Sequence, residues 1–268
     1  MLRNRIIQLL QNDYPMLAPF VLSSFSTTKV FKRRERDKSC EPIPVAVVLC
    51  SCGYLDGTEI SEAVSATIHL CQKNLKPVFY APDIDICEIS DHLTKKADKN
   101  ASSRNALVEA ARLARSDIKP LCTCESCKHG ALVIPGGFGA AKTLSNFATK
   151  GADCTVHPEI EKVIEDFSCD KKPIGAICIS SVLVARVLQG VKITLGKESP
   201  PEEWPHANAI EQAKNMGAKV EMKDVKGVTR DKKHNVFSTP AWMYKCATYA
   251  DIHSGIGNLI AMMKKRID

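Results

Sequence analysis

Short apolar runs alternate along this chain with longer stretches whose apolar residues recur at helical spacing. Residues 45–50, Val45-Ala46-Val47-Val48-Leu49-Cys50, read as a buried strand of the parallel type. Ile60, Ala63, Val64, Thr67, Ile68 and Cys71 predict a helix over residues 59–74, with Thr58 or Asp56 as its cap. Residues 77–82 form a second strand. Residues 83–120 are more polar and read as largely helical, with a helix over 102–115 carried by Ala106, Leu107, Ala110, Leu113 and Ala114. Strands follow at 131–134 and 173–177, and helices at 155–167 and 180–188. The remainder predicts a strand at 192–195, a helix at 206–216, a strand at 218–222 and a hairpin over 227–237. Thr239-Pro240 opens a last helical region that ends in 252–265. Strand and helix alternate, so the expectation is a single α/β domain whose loops build a site at the carboxyl ends of its strands.

Composition narrows the class. The chain has 268 residues, 44% hydrophobic and 25% charged, which supplies an ample core. Its net charge of +7 is uneven: residues 1–40 hold eight Lys/Arg against three Asp/Glu, leaving +2 on the rest. A near-neutral body argues against a nucleic-acid partner, and no apolar run reaches membrane-spanning length. Residues 1–41 are basic, hydroxyl-rich and acid-poor, with Leu2, Ile6, Leu9 and Leu10 on one side of a short amphipathic helix. That composition predicts a mitochondrial transit peptide, or else a disordered leader, ahead of a domain at 42–268. The twelve cysteines are scattered and read as reduced thiols rather than a disulfide framework.

Candidate chemistry centres on Cys178, where the 173–177 strand meets the following helix with small Ala176 and Ser180 on either side. A nucleophile on so sharp a turn needs small neighbours, and the helix N-terminus behind it favours the thiolate. Pro135-Gly136-Gly137-Phe138-Gly139 follows the 131–134 strand and lets the backbone approach closely; N–H groups of Gly137, Phe138 and Ile179 are expected as oxyanion donors. The run fits neither a phosphate P-loop nor a dinucleotide fingerprint. Glu59, where the first helix begins, reads either as a proton carrier for Cys178 or as a favourable charge at a helix N-terminus. No histidine directly follows Cys178; Ile179 stands there. His157 reads as part of a helix opening capped by Thr155, and His206, His234 and His253 stand isolated. Cys122, Cys124, Cys127 and His129 pack three thiols and an imidazole into eight residues, yet read as a thiol-rich loop; no metal or other cofactor is expected.

The segments Gly53-Tyr54-Leu55-Asp56-Gly57-Thr58-Glu59-Ile60, Gly136-Gly137-Phe138-Gly139-Ala140-Ala141-Lys142, Leu144-Ser145-Asn146-Phe147-Ala148, Cys154-Thr155-Val156 and Ser238-Thr239-Pro240-Ala241, together with Cys178, resemble the class I glutamine amidotransferase-like superfamily. The likeness is to its PfpI-related branch of bacterial ElbB (enhancing lycopene biosynthesis) proteins and their mitochondrial relatives. It implies a flavodoxin-like three-layer sandwich with a mostly parallel sheet and a cysteine nucleophile elbow. It also implies that Cys178 and Glu59 are catalytic, that Gly136, Gly137, Phe138 and Ile179 bind substrate or oxyanion, and that the protein is a homodimer. The implied activity is a cofactor-free glyoxalase or deglycase reaction on a small aldehyde. The histidine after the cysteine and the later His-x-Glu of the superfamily's hydrolases and amidotransferases are missing, so glutamine hydrolysis is not expected. A non-catalytic, redox-sensing or ligand-binding protein is the alternative.

Overall fold

The computed structural model describes residues 41–267. The leader predicted over residues 1–41 falls outside them but for Glu41.

Seven strands form one sheet in the order β10-β11-β7-β6-β1-β2-β5. They are β1 (Ile43–Val48), β2 (Leu75–Ala81), β5 (Ile118–Pro120), β6 (Ala131–Ile134), β7 (Ile174–Ile177), β10 (Thr229–Asp231) and β11 (Val236–Thr239). Every pairing is parallel except that of β10 with β11. The four central residues of β1 and all of β6 and β7 are buried, as both-face burial in a parallel sheet requires.

The chain runs outward from β1 to β2 and β5, then returns to the other side of β1 and proceeds through β6 and β7. Right-handed crossovers taken in opposite directions lay their helices on opposite faces. Helix α1 (Ile60–Gln72) therefore covers one face, where it packs against the last helix, α8 (Tyr249–Lys264). Helices α5 (Pro158–Cys169) and α6 (Ser181–Val187) cover the other. The reversal leaves a crevice outside the carboxyl ends of β1 and β6, the place where open α/β sheets bind ligands. Close packing of α8 on the sheet depends on Gly175, where a Cβ would lie 2.5 Å from the Met263 sulfur.

Several elements differ from the sequence-based expectation. The polar stretch after β2 is not mainly helical: it holds a small hairpin, β3 (Ser90–Asp91) with β4 (Lys96–Ala97), and the edge strand β5. Its helix shrinks to α2 (Ala106–Ala110), capped by Asn105. Strands β8 (Lys192–Ile193) and β9 (Lys219–Val220) pair with each other, outside the main sheet, and helix α7 (Asn208–Asn215) lies between them in sequence. Two short helices, α3 (Phe138–Lys142) and α4 (Phe147–Lys150), follow Gly136 and Gly137, where the sequence pattern assigns no helix. Pro240 opens only the turn Ala241–Met243; α8 starts later, at a capping box between Thr248 and Asp251. His157, not Thr155, caps α5.

Helix α1 departs in a way that matters for the site. Its stripe of large apolar residues, Ile60, Val64 and Ile68, is more than 40% exposed. The face that packs inward carries Glu62, Ala63, Ala66 and Leu70. Small residues win that face because the helix lies close against both the sheet and α8, where bulk would not fit.

Candidate active site

Cys178 sits where β7 stops, with φ of +59°, in the left-handed region that a non-glycine residue rarely adopts. This is the geometry of a nucleophile elbow. The Ser180 hydroxyl holds the turn from inside: it donates to the Ile134 carbonyl at 2.7 Å and accepts the Ile177 N–H at 2.9 Å. One buried side chain thus ties the end of β7 to the end of β6. The sulfur is only partly reachable, the residue being 7% exposed.

The carboxylate that meets the thiol is Glu62, and Glu59 has another task. Glu59 caps α1: its Oε2 accepts the Glu62 N–H at 2.7 Å and the Ser61 hydroxyl at 2.6 Å. It lines the same cleft as Cys178, half-buried, and acts on the pair as a nearby negative charge. Glu62 is wholly buried. Its Oε2 accepts the Gly136 N–H at 2.8 Å, its Oε1 faces the Trp242 N–H at 3.4 Å, and its carboxyl and the Cys178 side chain meet at Gly136, close enough for each to shift the other's titration. Gly136 is obligatory there, because a Cβ would lie 2.6 Å from Cys178 Cβ and 2.8 Å from the Glu62 carboxylate. A readable signal pointed to Glu62: it stands four and eight residues before Ala66 and Leu70, a carboxylate placed in the buried stripe of α1.

Electrostatics reverse one expectation. Burial, then the charge of Glu62, holds the Cys178 thiol well above its ordinary range, although the Ile179 N–H opposes this. Desolvation followed by the charge of Glu59 pushes Glu62 up to about 8. The short helix behind the sulfur is outweighed by burial and two carboxylates, so the resting state is a thiol beside a Glu62 carboxyl that gives up its proton only near pH 8.

The expected oxyanion donors divide. The Gly136 N–H is committed to Glu62 and the Phe138 N–H to the Tyr54 carbonyl, at 2.7 Å. The Ile179 N–H points to the sulfur, and the Gly137 N–H takes no partner among the described residues. Gly137 has φ of +99°, and a Cβ would stand 2.2 Å from the Gly57 carbonyl oxygen, so this close approach of two loops admits only glycine.

Above the pair lies a cleft of about 820 Å³, lined by aromatic Tyr54, Phe138, Phe147 and Trp242 and by His206, among others. His206 packs edge-on to the Phe138 ring, with centroids 5.5 Å apart, and burial pushes its pKa down. It is the histidine of the cleft, brought in by the loop before α7 rather than by the residue after Cys178. His157 serves as a helix cap instead. The thiol-rich loop is dispersed: Cys122 and Cys127 are exposed, Cys124 is buried, and His129 directs its ring nitrogens at the Glu125 carbonyl and the Tyr80 hydroxyl.

No family model matches the chain. Its sequence is 43% identical over 225 residues to the human protein named glutamine amidotransferase-like class 1 domain-containing protein 3, mitochondrial, covering 84% of this chain and 82% of that one. It is 41% identical over 258 residues to the ES1 protein homolog, mitochondrial, of Rattus norvegicus, covering 95% of each. The chain belongs to the ES1 family of glutamine amidotransferase-like class 1 proteins. The crystal structure of an isoprenoid biosynthesis protein with an amidotransferase-like domain from Ehrlichia chaffeensis is 30% identical and aligns with a TM-score of 0.75, covering 84% of this chain and 100% of that one. The fold is thus the flavodoxin-like sandwich of the amidotransferase-like proteins. These ES1 relatives are named mitochondrial, and the protein is mitochondrial.

Proposed function

We propose that this ES1-family protein is a cofactor-independent enzyme of glyoxalase type, acting on small reactive aldehydes through Cys178 with Glu62 as its proton carrier. The observation that carries the reading is the buried Cys178 thiol, which lines an open cleft, with the fully buried Glu62 carboxyl beside it, both pushed up by burial. A group titrating near the working pH is the best suited to both take and return a proton. The thiol adds to an aldehyde carbon of a 2-oxoaldehyde, forming the C–S bond while its proton passes to Glu62 in its ionised form, the form that gains ground as pH approaches 8. The Gly137 N–H, without a partner among the described residues, is the donor left for the charge that gathers on oxygen, and Glu62 hands the thiol's proton to that oxygen, which gives the hemithioacetal and restores the carboxylate. Glu62 next removes the proton on that carbon and returns it to the neighbouring carbonyl carbon by way of the enediol. The product is the Cys178 thioester of a 2-hydroxy acid. Water cleaves it, freeing the acid and the thiol; the substrate is oxidised at one carbon and reduced at the next, so no external oxidant or reductant enters.

Glutaminase chemistry draws no support from the site. Ile179 stands where the superfamily's hydrolases carry a histidine, and an amide needs more activation than an aldehyde. The redox-sensing alternative also loses ground, since sensor cysteines are low-pKa and accessible, and this thiol is pushed up and buried.

The test is hydroxy-acid formation from glyoxal and methylglyoxal by the full chain and by its Cys178→Ser, Glu62→Gln and Glu59→Gln variants. Turnover lost in the first two and largely kept in the third is the expected result. Wild-type turnover no greater than that of Cys178→Ser would refute the enzyme reading.

A further inference from the structure

The cleft is far larger than a two-carbon dialdehyde fills; its volume of about 820 Å³ suits a ligand of many more atoms. Its charge is also lopsided. Lys95, Lys150 and Lys245 line it, against the single carboxylate Glu59. These lysines come from separate places: the turn between β3 and β4, the last residue of α4, and the connection ahead of α8. None of them is ion-paired among the described residues. Glu59, meanwhile, is engaged by Ser61 and the start of α1. Three unneutralised cations over a concave, partly apolar surface raise the local concentration of anions.

We propose that the cleft is an anion-accepting site, and that its substrate is a 2-oxoaldehyde bearing a carboxylate or phosphate. Lys150 and Lys245, with Lys95 at the rim, hold the anion while the carbonyl reaches Cys178. The substrate class rests on the aldehyde reading above; the anion subsite does not. The charge arrangement also separates two tasks. The cations stand around the cleft, whereas Cys178 lines its floor beside the buried Glu62, so the anionic tail is held by the lysines and the neutral carbonyl end faces the thiol.

Alkylation of Cys178 reads the subsite without any turnover. The full chain is treated with iodoacetate or with iodoacetamide, and labelling at Cys178 and at the exposed Cys71 is followed by peptide mass spectrometry. The iodoacetate-to-iodoacetamide rate ratio is expected to be about three- to tenfold higher at Cys178 than at Cys71, the size of one or two screened charge interactions. It falls to the Cys71 value in a Lys150→Met/Lys245→Met protein. Inorganic phosphate or propionate is expected to slow iodoacetamide labelling of Cys178 in the wild type only; the more effective of the two names the anion. A wild-type ratio no higher at Cys178 than at Cys71, a ratio unchanged in the double variant, or protection by neither anion overturns the subsite. Glyoxal turnover that persists alongside such a result would leave the enzyme reading standing. A raised, lysine-dependent ratio without turnover would do the reverse.

Discussion

Replacing Glu62 with Gln tests the electrostatics of the pair directly. The substitution keeps the size of the side chain and an acceptor for the Gly136 N–H, and removes only the titration. Desolvation first, then Glu59, raises the Glu62 carboxyl from 4.5 to about 8. In the unfolded chain this group loses its proton near the lower value; in the folded protein it keeps it to the upper one. Between the two the folded state binds the extra proton, so the folded state is favoured fully at low pH and loses that advantage as pH rises through the window. A shift of roughly 3.5 units at about 1.36 kcal/mol each is on the order of 4 to 5 kcal/mol. The glutamine protein has no such loss. Its stability relative to wild type is therefore expected to climb by on the order of 3 to 4 kcal/mol from pH 5 to pH 8. Groups common to both proteins cancel in the difference, and the Cys178 thiol, held above its ordinary range, does not titrate in this interval. Urea unfolding of both proteins at several pH values under reducing conditions supplies the numbers. A difference flat to within about 0.5 kcal/mol across the interval would mean that Glu62 ionises in the folded protein as it does in water, and the account of a buried, proton-holding Glu62 would be wrong.

Two further substitutions address the frame that holds the pair. Ser180→Ala removes the buried hydroxyl that joins the Ile134 and Ile177 backbones. It is expected to cost about 1 to 3 kcal/mol in denaturant unfolding, since the Ile177 N–H is left without its acceptor; a loss under about 0.3 kcal/mol would show that the elbow does not depend on it. Gly136→Ala places a methyl 2.6 Å from Cys178 Cβ and 2.8 Å from the Ile177 carbonyl. Backbone stands on one side and the nucleophile on the other, so about 1 to 3 kcal/mol of overpacking is expected, together with slower alkylation of Cys178. Unchanged melting and labelling would refute the close approach.

Much of the frame is legible in the sequence because it follows from local pattern. The runs at 45–50, 131–134 and 173–177 are apolar throughout, which only strands buried on both faces require, and their alternation with helices announces a parallel sheet with its site at the carboxyl ends. Cys178 between Ala176 and Ser180, and the glycines at 136 and 137, are likewise visible, since turns and close approaches select small residues. The family's motifs sharpened that frame into a flavodoxin-like sandwich. What the sequence left open is which side chains meet. Glu59 and Glu62 lie about one helical turn apart; the spacing of Glu62 with Ala66 and Leu70 marks it as inward-facing, but it does not say that the thiol lies there. The tertiary packing decides, because α8 and the sheet press on the Ala63–Ala66–Leu70 face of α1 and leave Ile60, Val64 and Ile68 outside. The ionisation of Cys178 was decided the same way: helix direction is a local property, whereas burial beside two carboxylates exists only once distant segments have closed around the sulfur. The lysines of the cleft are the extreme case. Residues 95, 150 and 245 share no pattern along the chain, and only the fold brings them to one surface.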